Sequence, residues 1–579
     1  MSRGNSTSAS AAQTGSWAGA ATAGDTVTIA SNLSSGDPVQ EIYTAVSGTP
    51  GAFQFQVTTT GGNGAKADQA DKLVTSINAN SLLVTASNGT NGSMTVTSKV
   101  AGAGGNNIGL ADTAGNTFNW SGSFLSGGSG QANLVAFKNL YVNPSGTGFC
   151  PGTAPTVSWA YNVSTGSSGI NTSPILSLDG TEVAFVEDVS GGAVLHVLRW
   201  KTGEGAIGAP ATPTTSTSKS STWTSCLAGS TSCMFNLAFG TTNDSHSSPF
   251  VDYLNDTLYV GDNNGNLFKI AGVFNGTPAK RTSTSSPAWG DSTGALLIAS
   301  SSGNFLTSPV LDYSDNRVWV GVGGTDGVLK FVNTATSPAT VSTGLGIAKS
   351  GNLNEGPIVD GTNHTVFMFT SDDSGTTGAL ASAAVVQANV QSSAPAQLTR
   401  KGIGKKGTSY IRAGAFTDAY FTTPSSGYLY ACGRGISDAL PTLYRFGFNG
   451  ATPPVMQSQN GTELTLTTGS AECLPLSELK NGTNDRLFAG VTVEGGSLCA
   501  SSGCVQSFDG INGTMPSTTA HTVSENGGTS GIVVDNVSSS AEASSIYFST
   551  LPGTTSSATG CKSGGLGYCA VKLTQSGLQ

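Results

Sequence analysis

Gly290-Asp291-Ser292-Thr293-Gly294 has the spacing of a nucleophile elbow, in which a serine between two glycines is lifted toward a base. No strand-turn-helix pattern surrounds it, and a chain with 79 glycines produces this spacing by chance, so the segment reads as a loop. Asp262-Asn263-Asn264-Gly265-Asn266 offers oxygens at alternate positions, Asp262, Asn264 and Asn266, as a calcium loop does. The distal Glu of such a loop is missing, and Asn and Gly are also what a tight hairpin demands. A structural turn is the favoured reading, with calcium as the one cofactor left open. Asp252, Asp312, Asp360 and Asp535 each end a short apolar run. A carboxylate there either lines a channel or accepts backbone hydrogen bonds in its own turn, and recurrence in register favours the turn. His196, His246, His364 and His521 have no partner at ligand spacing. No acid/base set converges, so no catalytic residue is assigned and the chain is read as a non-enzyme.

Arg400, Lys401, Lys405, Lys406 and Arg412 form the one basic cluster. It reads as a solvated loop, the alternative being contact with an acidic surface of another subunit or an anionic polysaccharide. Trp200, Phe268, Trp319, Phe331 and Tyr430 read as packing core rather than a sugar platform. Nine cysteines include the close pairs Cys226/Cys233, Cys499/Cys504 and Cys561/Cys569, with Cys432 and Cys473 as a fourth pair and Cys150 left over. There is no C-x-x-C and there are four histidines, so zinc and haem spacings are absent and local disulfides are expected. Disulfides imply an oxidising, extracellular or cell-surface location. Met1 to Ala30 lacks the apolar core of a signal peptide, so the signal is expected to have been removed, to lie upstream, or to be unconventional.

The elements that must position these residues are strands. The chain has 579 residues, of which 10% are charged, with 25 Lys+Arg against 34 Asp+Glu and a net charge of −9. An acidic, weakly charged surface excludes nucleic acid as a partner. No run approaches the roughly 18 apolar residues of a spanning helix, which excludes a helical membrane span. Thr, Val and turn residues dominate, so the fold class is all-β. The length calls for more than one core.

Residues 1–17 are a polar, low-complexity N-terminal arm by composition. In 18–130, AFQFQVTT alternates with the period of a strand, and KADQADKLVTSINAN places Ala70, Leu73, Val74 and Ile77 on one helix face. Two further strands, SLLVTAS and SMTVTSK, complete a small α+β sandwich. The phrases LVTSINAN, MTVTSKVAGAGGNNIGL and WSGSFLSGG resemble a module of phage tail proteins and bacterial surface proteins. That resemblance implies adhesion or assembly.

From 131 to 579 one phrase recurs: NTSPILSLDGTEVAFVED from 171, SSPFVDYLNDTLYVGDNNGNLFKI from 247, TSPVLDYSDNRVWVGVGGTDGVLKFV from 307, and EGPIVDGTNHTVFMFTSDDSG from 355. Weaker echoes start at 414, 472 and 530. Each reads as an inner strand, a turn, a second aromatic strand and then one or two more, which is the pattern of propeller blades. About seven blades are predicted. CAVKLTQS is expected as a third strand of the last blade, with APTVSWAYNVSTG as its outermost strand, closing the ring. The phrase SPVLDYSDNRVWVG…GVLKF resembles the quinoprotein-type propellers. Quinoprotein enzymes also carry a docking signature, roughly A-x-D-x-x-T-G-K-x-x-W, which is absent here.

Three functions remain open. The first is a secreted structural protein, self-assembling into a surface fibre by lending its N-terminal arm to a neighbour's sheet. The second is a monomeric adhesin or carbohydrate-binding propeller, with an extracellular polysaccharide as partner. The third is a secreted propeller enzyme.

Overall fold

The computed structural model describes residues 10–574 apart from 32–39, 100–107, 141–154, 164–169, 493–502, 536–544, 551–569 and stretches of five residues or fewer. Cys150, Cys499, Cys561 and Cys569, and residues 1–9 of the arm, lie outside the described residues.

Two four-stranded sheets and a helix make the N-terminal module. One sheet has the order Val84–Asn88, Ser93–Ser98, Ala12–Trp17, Phe118–Trp120, and the other Gln54–Gln56, Gln40–Val46, Thr26–Ser31, Ile108–Asp112. Helix Gly64–Asn80 buries Ala70, Leu73, Val74 and Ile77, the stripe that its 3.6-residue period aligns. They share one core with Trp17, Val27, Tyr43, Phe55, Val96 and Phe118.

Ala12–Trp17, placed in the polar arm by its composition, is a strand of the module. The segment lies inside a sheet, with Ala12 opposite Thr97 and Gly15 opposite Trp120. Its polar composition misleads because one side chain decides. Trp17 is 2% exposed, with its ring centroid 4.7 Å from that of Phe118 and 5.9 Å from that of Phe55. Burying an indole and completing two ladders outweighs the solvation of the small residues around it. Gly15 lies beneath the rings of Phe118 and Trp120, and a Cβ there would stand 2.5 Å from Phe118. Gly15→Val is therefore expected to destabilise the module by about 1–3 kcal/mol, seen as a lower urea midpoint, with Gly15→Ala falling between.

After the two-stranded sheet of Leu134–Lys138 and Thr156–Tyr161, seven larger sheets follow in chain order among the described residues, over 175–240, 250–297, 310–346, 358–405, 415–465, 477–524 and 533–574. First strands touch the first strands of the next sheet: Phe250–Asp252 meets Val310–Asp312, which meets Ile358–Asp360, while Ala415–Phe416 meets Ser477–Asn481, which meets Val533–Asp535. First strands are thus innermost. A hydrophobic core fills each gap between successive sheets. Successive residues of one strand serve opposite cores. Val318 and Val320 face the second sheet while Trp319 faces the fourth, and Phe367 and Phe369 face the fifth while Met368 faces the third. Burial on both faces is why these middle strands are continuous apolar runs rather than alternating ones. The fold is a β-propeller preceded by a small sandwich module.

Ala570–Thr574 is the third strand of the seventh sheet. Thr156–Tyr161, expected from its sequence as the outermost strand of that blade, pairs instead with Leu134–Lys138. Trp159 and Tyr161 carry this two-stranded ribbon into a core with Val183, Phe185 and Leu198 of the first blade. Packing of the two aromatics selects the partner, a choice that local strand propensity leaves open. Disulfides join Cys226 to Cys233 and Cys432 to Cys473. Cys504 is also disulfide-bonded.

Candidate functional site

The repeated phrase builds one end of the space that the inner strands surround, its leading mouth. Pro174, Pro249, Pro309 and Pro357 stand directly before the innermost strands, where a missing N–H costs no ladder bond. Two residues before the proline, the Ser247 hydroxyl accepts the Gly261 N–H at 2.7 Å and the Thr307 hydroxyl accepts the Gly321 N–H at 3.0 Å. Directly before it, the Ser248 hydroxyl accepts the Ser173 N–H at 3.0 Å and the Ser308 hydroxyl accepts the Ser248 N–H at 2.9 Å. The first three blades are thereby laced together around the mouth where the chain runs into its inner strands.

A cavity of about 270 Å³ opens at this leading mouth. Asn171 comes from the approach to the first blade, His246 and Ser248 from the second, Ser308 from the third, Asn354, Glu355 and Gly356 from the fourth, and Tyr410 and Arg412 from the fifth. Arg412 Nη1 donates to Glu355 Oε1 at 2.8 Å, and its guanidinium lies 5.5 Å from the centre of the Tyr410 ring. Asn171 Nδ2 donates to Asp188 Oδ2 at 3.1 Å, which turns its carbonyl oxygen away from Asp188. His246 stacks on Phe305 at 3.8 Å with Nδ1 3.0 Å from Asn263 Oδ1. Asn354 Nδ2 is shut off from solvent and has no acceptor among the described residues.

Beside the cavity, burial pushes the Asp244 carboxyl up to about 8, and the charges of Asp262 and Asp188 add to the effect. Asp244 Oδ1 accepts the N–H groups of Ser247 at 2.8 Å and His246 at 3.2 Å, holding the loop that leads into the second blade.

The calcium candidate forms a turn. Asp262 Oδ1 accepts the backbone N–H groups of Asn264 and Asn266, both at 2.9 Å, and Oδ2 accepts the Asn266 side-chain amide at 3.0 Å. Gly265 supplies the required φ of +76°. The carboxylate is thus spent inside the turn, which sets Asn263 against His246. Among the described residues, no three His, Cys, Asp or Glu side chains stand together as metal ligands.

At the opposite mouth three of the recurring aspartates cap their own turns, while the turn after Asp535 lies outside the described residues. Asp252 Oδ1 accepts the N–H groups of Leu254 and Asn255, Asp312 Oδ1 those of Ser314 and Asp315, and Asp360 Oδ1 those of Thr362 and Asn363. In the glycine-flanked serine segment, Asp291 organises the loop by accepting the Thr293 and Ala295 N–H groups. His196 is fully buried between Glu187 and Asn236, and His364 faces Asp315 at 2.8 Å. His521 begins the strand His521–Ser524.

The basic cluster is neither a loop nor one patch. Arg400, Lys401 and Lys405 lie on the strand Pro395–Lys405. Arg400 points inward, 7% exposed, and pairs with Asp373, whereas Arg412 reaches the cavity and Lys405 and Lys406 stay exposed. Phe268, Trp319, Phe331 and Tyr430 are buried in interblade cores, and Trp200 is partly buried against Trp159.

No protein-family profile matches the chain, and no curated protein does. Solved structures do. BamB from Moraxella catarrhalis is similar at 10% identity and a TM-score of 0.34, covering 68% of this chain and 83% of its own. The Swd1 β-propeller domain of Myceliophteria thermophila is similar at 7% identity and a TM-score of 0.35, covering 68% and 95%. A protein from Lactobacillus plantarum is similar at 13% identity and a TM-score of 0.37, covering 73% and 94%. With these scores the propeller assignment rests on the succession of sheets and the cores between them.

Asn171, Ser248, Ser308, Asn354, Glu355 and Tyr410 do not stand out in the sequence as chemistry, and Arg412 stands out only as one of a charge cluster. A signal was present for most of them: they lie within four residues of the start of an inner strand, where the repeat places Ser-Pro or Gly-Pro.

Proposed function

We propose that this chain is an extracellular recognition protein that holds a small polar ligand at the leading mouth of its propeller channel. The observation that carries this reading is the convergence of the approaches to five successive blades on one polar cavity. Polar groups that converge in a concave site are what fix the orientation of a small ligand. The two disulfides support an oxidising compartment. The N-terminal module would supply attachment, the role implied by its resemblance to tail and surface modules. Residues 12–17 complete the chain's own sheet, which favours this reading over a fibre built by lending those residues to a neighbour.

The test is a thermal-shift screen of small polar compounds against the full chain and its Asn354→Trp and Arg412→Ala variants. A ligand that binds the native state raises the midpoint by mass action. The expected result is at least one compound that stabilises the parent and leaves both variants unmoved. A parent that answers to nothing, or variants that answer equally, would refute the reading.

A further inference from the structure

The cavity's own chemistry narrows the class of ligand, and this inference rests on the proposed function above. We propose that the cavity takes a single neutral sugar ring, or a polyol of that size.

Charge comes first. Glu355 and Arg412 face each other at 2.8 Å and neutralise one another within the lining. A phosphate or sulfate would lie against the Glu355 carboxylate, and a divalent cation against the guanidinium. A carboxylate ligand bound to Arg412 would likewise lie beside the Glu355 carboxylate. A neutral ligand meets none of these costs, because it leaves the pair intact.

Hydrogen-bonding capacity comes second. Ser248 and Ser308 each accept a backbone N–H, which leaves each hydroxyl its own proton to donate. Arg412 has further N–H groups beyond the one given to Glu355. Against these donors stand acceptors, the second Glu355 oxygen and the Asn171 carbonyl, whose amide nitrogen is engaged by Asp188. A lining that interleaves donors and acceptors suits a ligand whose every polar group does both. Sugar hydroxyls have that property; ethers and sulfate only accept, and ammonium groups only donate.

Size and shape come third. At about 270 Å³ the cavity is just under the range of about 300–1,000 Å³ that holds drug-sized ligands, so it takes one ring. Tyr410, 44% exposed, offers an apolar ring face at the rim, where the C–H face of a sugar can lie. One ring in a channel mouth means a terminal residue or a free sugar, not the interior of a chain.

The experiment is calorimetric titration of the full chain with glucose, galactose, mannose and N-acetylglucosamine, and separately with glucuronate, inorganic phosphate and calcium chloride. The expected result is binding of at least one neutral sugar with a dissociation constant on the order of 1 mM. Tyr410→Ala and Glu355→Gln should each weaken it at least tenfold while their circular dichroism and melting match the parent. Binding of glucuronate or phosphate alone, lost in Arg412→Ala, would overturn the neutral-sugar class and leave the site standing. Sugar binding untouched by all three substitutions, or no heat with any probe, would overturn the site as well.

Discussion

Arg400→Met is expected to destabilise the propeller by about 3–5 kcal/mol, the range for breaking a buried ion pair by removing one partner. The Arg400 guanidinium and the Asp373 carboxylate are 2% and 0% exposed at 3.2 Å. The same guanidinium donates to the carbonyls of Gly346 at 2.9 Å and Ile347 at 3.0 Å, and to Gln397 Oε1. It therefore joins the third blade to the fourth through every side of its fork. Methionine fills the volume but leaves two carbonyls and a carboxylate without their donor. Arg400→Lys keeps the charge and loses the fork, so it should recover only part of the stability. Pairing Arg400→Met with Asp373→Asn should also recover part, because the uncompensated charge is gone. Urea unfolding of the four proteins decides the matter. A single Arg400→Met variant within about 0.5 kcal/mol of the parent, the range of ordinary surface substitutions, would show that the pair contributes nothing.

Asp244→Asn is expected to leave stability near pH 4 unchanged and to raise it progressively toward pH 8. Asp244 is 1% exposed, and its carboxyl titrates near 8 in the folded chain against about 4 in an unfolded one. Between those values the folded state holds a proton that the unfolded state has released. Stability therefore falls as pH rises through this window and levels off above 8. A tenfold difference in proton affinity between the two states is worth about 1.4 kcal/mol, so the full penalty is on the order of 5 kcal/mol. Asparagine mimics the neutral acid, and its carbonyl can still accept from Ser247 and His246. Burial also pushes Glu525 up to about 7 and Glu478 up to about 8, so the parent should be most stable at acidic pH. Unfolding free energies measured at pH 4, 6 and 8 test both statements. Parallel parent and variant curves would rule out Asp244 as a source of the slope.

Much of the fold was legible in the sequence, and the reason is local. Phe250–Asp252, Val310–Asp312 and Ile358–Asp360 announce themselves because an inner strand, its Asp cap and the following turn occupy consecutive residues. The helix face of Ala70, Leu73, Val74 and Ile77 is equally local. The Cys226–Cys233 pair spans seven residues, short enough for spacing alone to suggest it.

The candidate site was not legible in this way. Asn171 and Arg412 are 241 positions apart in numbering (412 − 171) and share a cavity only because successive blades turn about one axis. Nothing in the neighbourhood of either residue states the angle between blades. Arg400 and Arg412 look alike as sequence, yet one is sealed between blades and the other opens on the cavity. Strand direction and interblade packing separate them.

The repeating strand-and-turn grammar, the all-β class, the helix and the turn caps are each encoded within a few neighbouring residues, and the chain carries them on its face. Partnership is settled only when the blades pack. Gly15 lies opposite Trp120, Thr156–Tyr161 pairs with Leu134–Lys138 rather than with the last blade, and the approaches to five blades meet in one cavity. The free energy of such partnerships comes from apolar surface and hydrogen-bonding groups far apart in the chain, and periodicity within a strand carries no record of which distant surface will cover it.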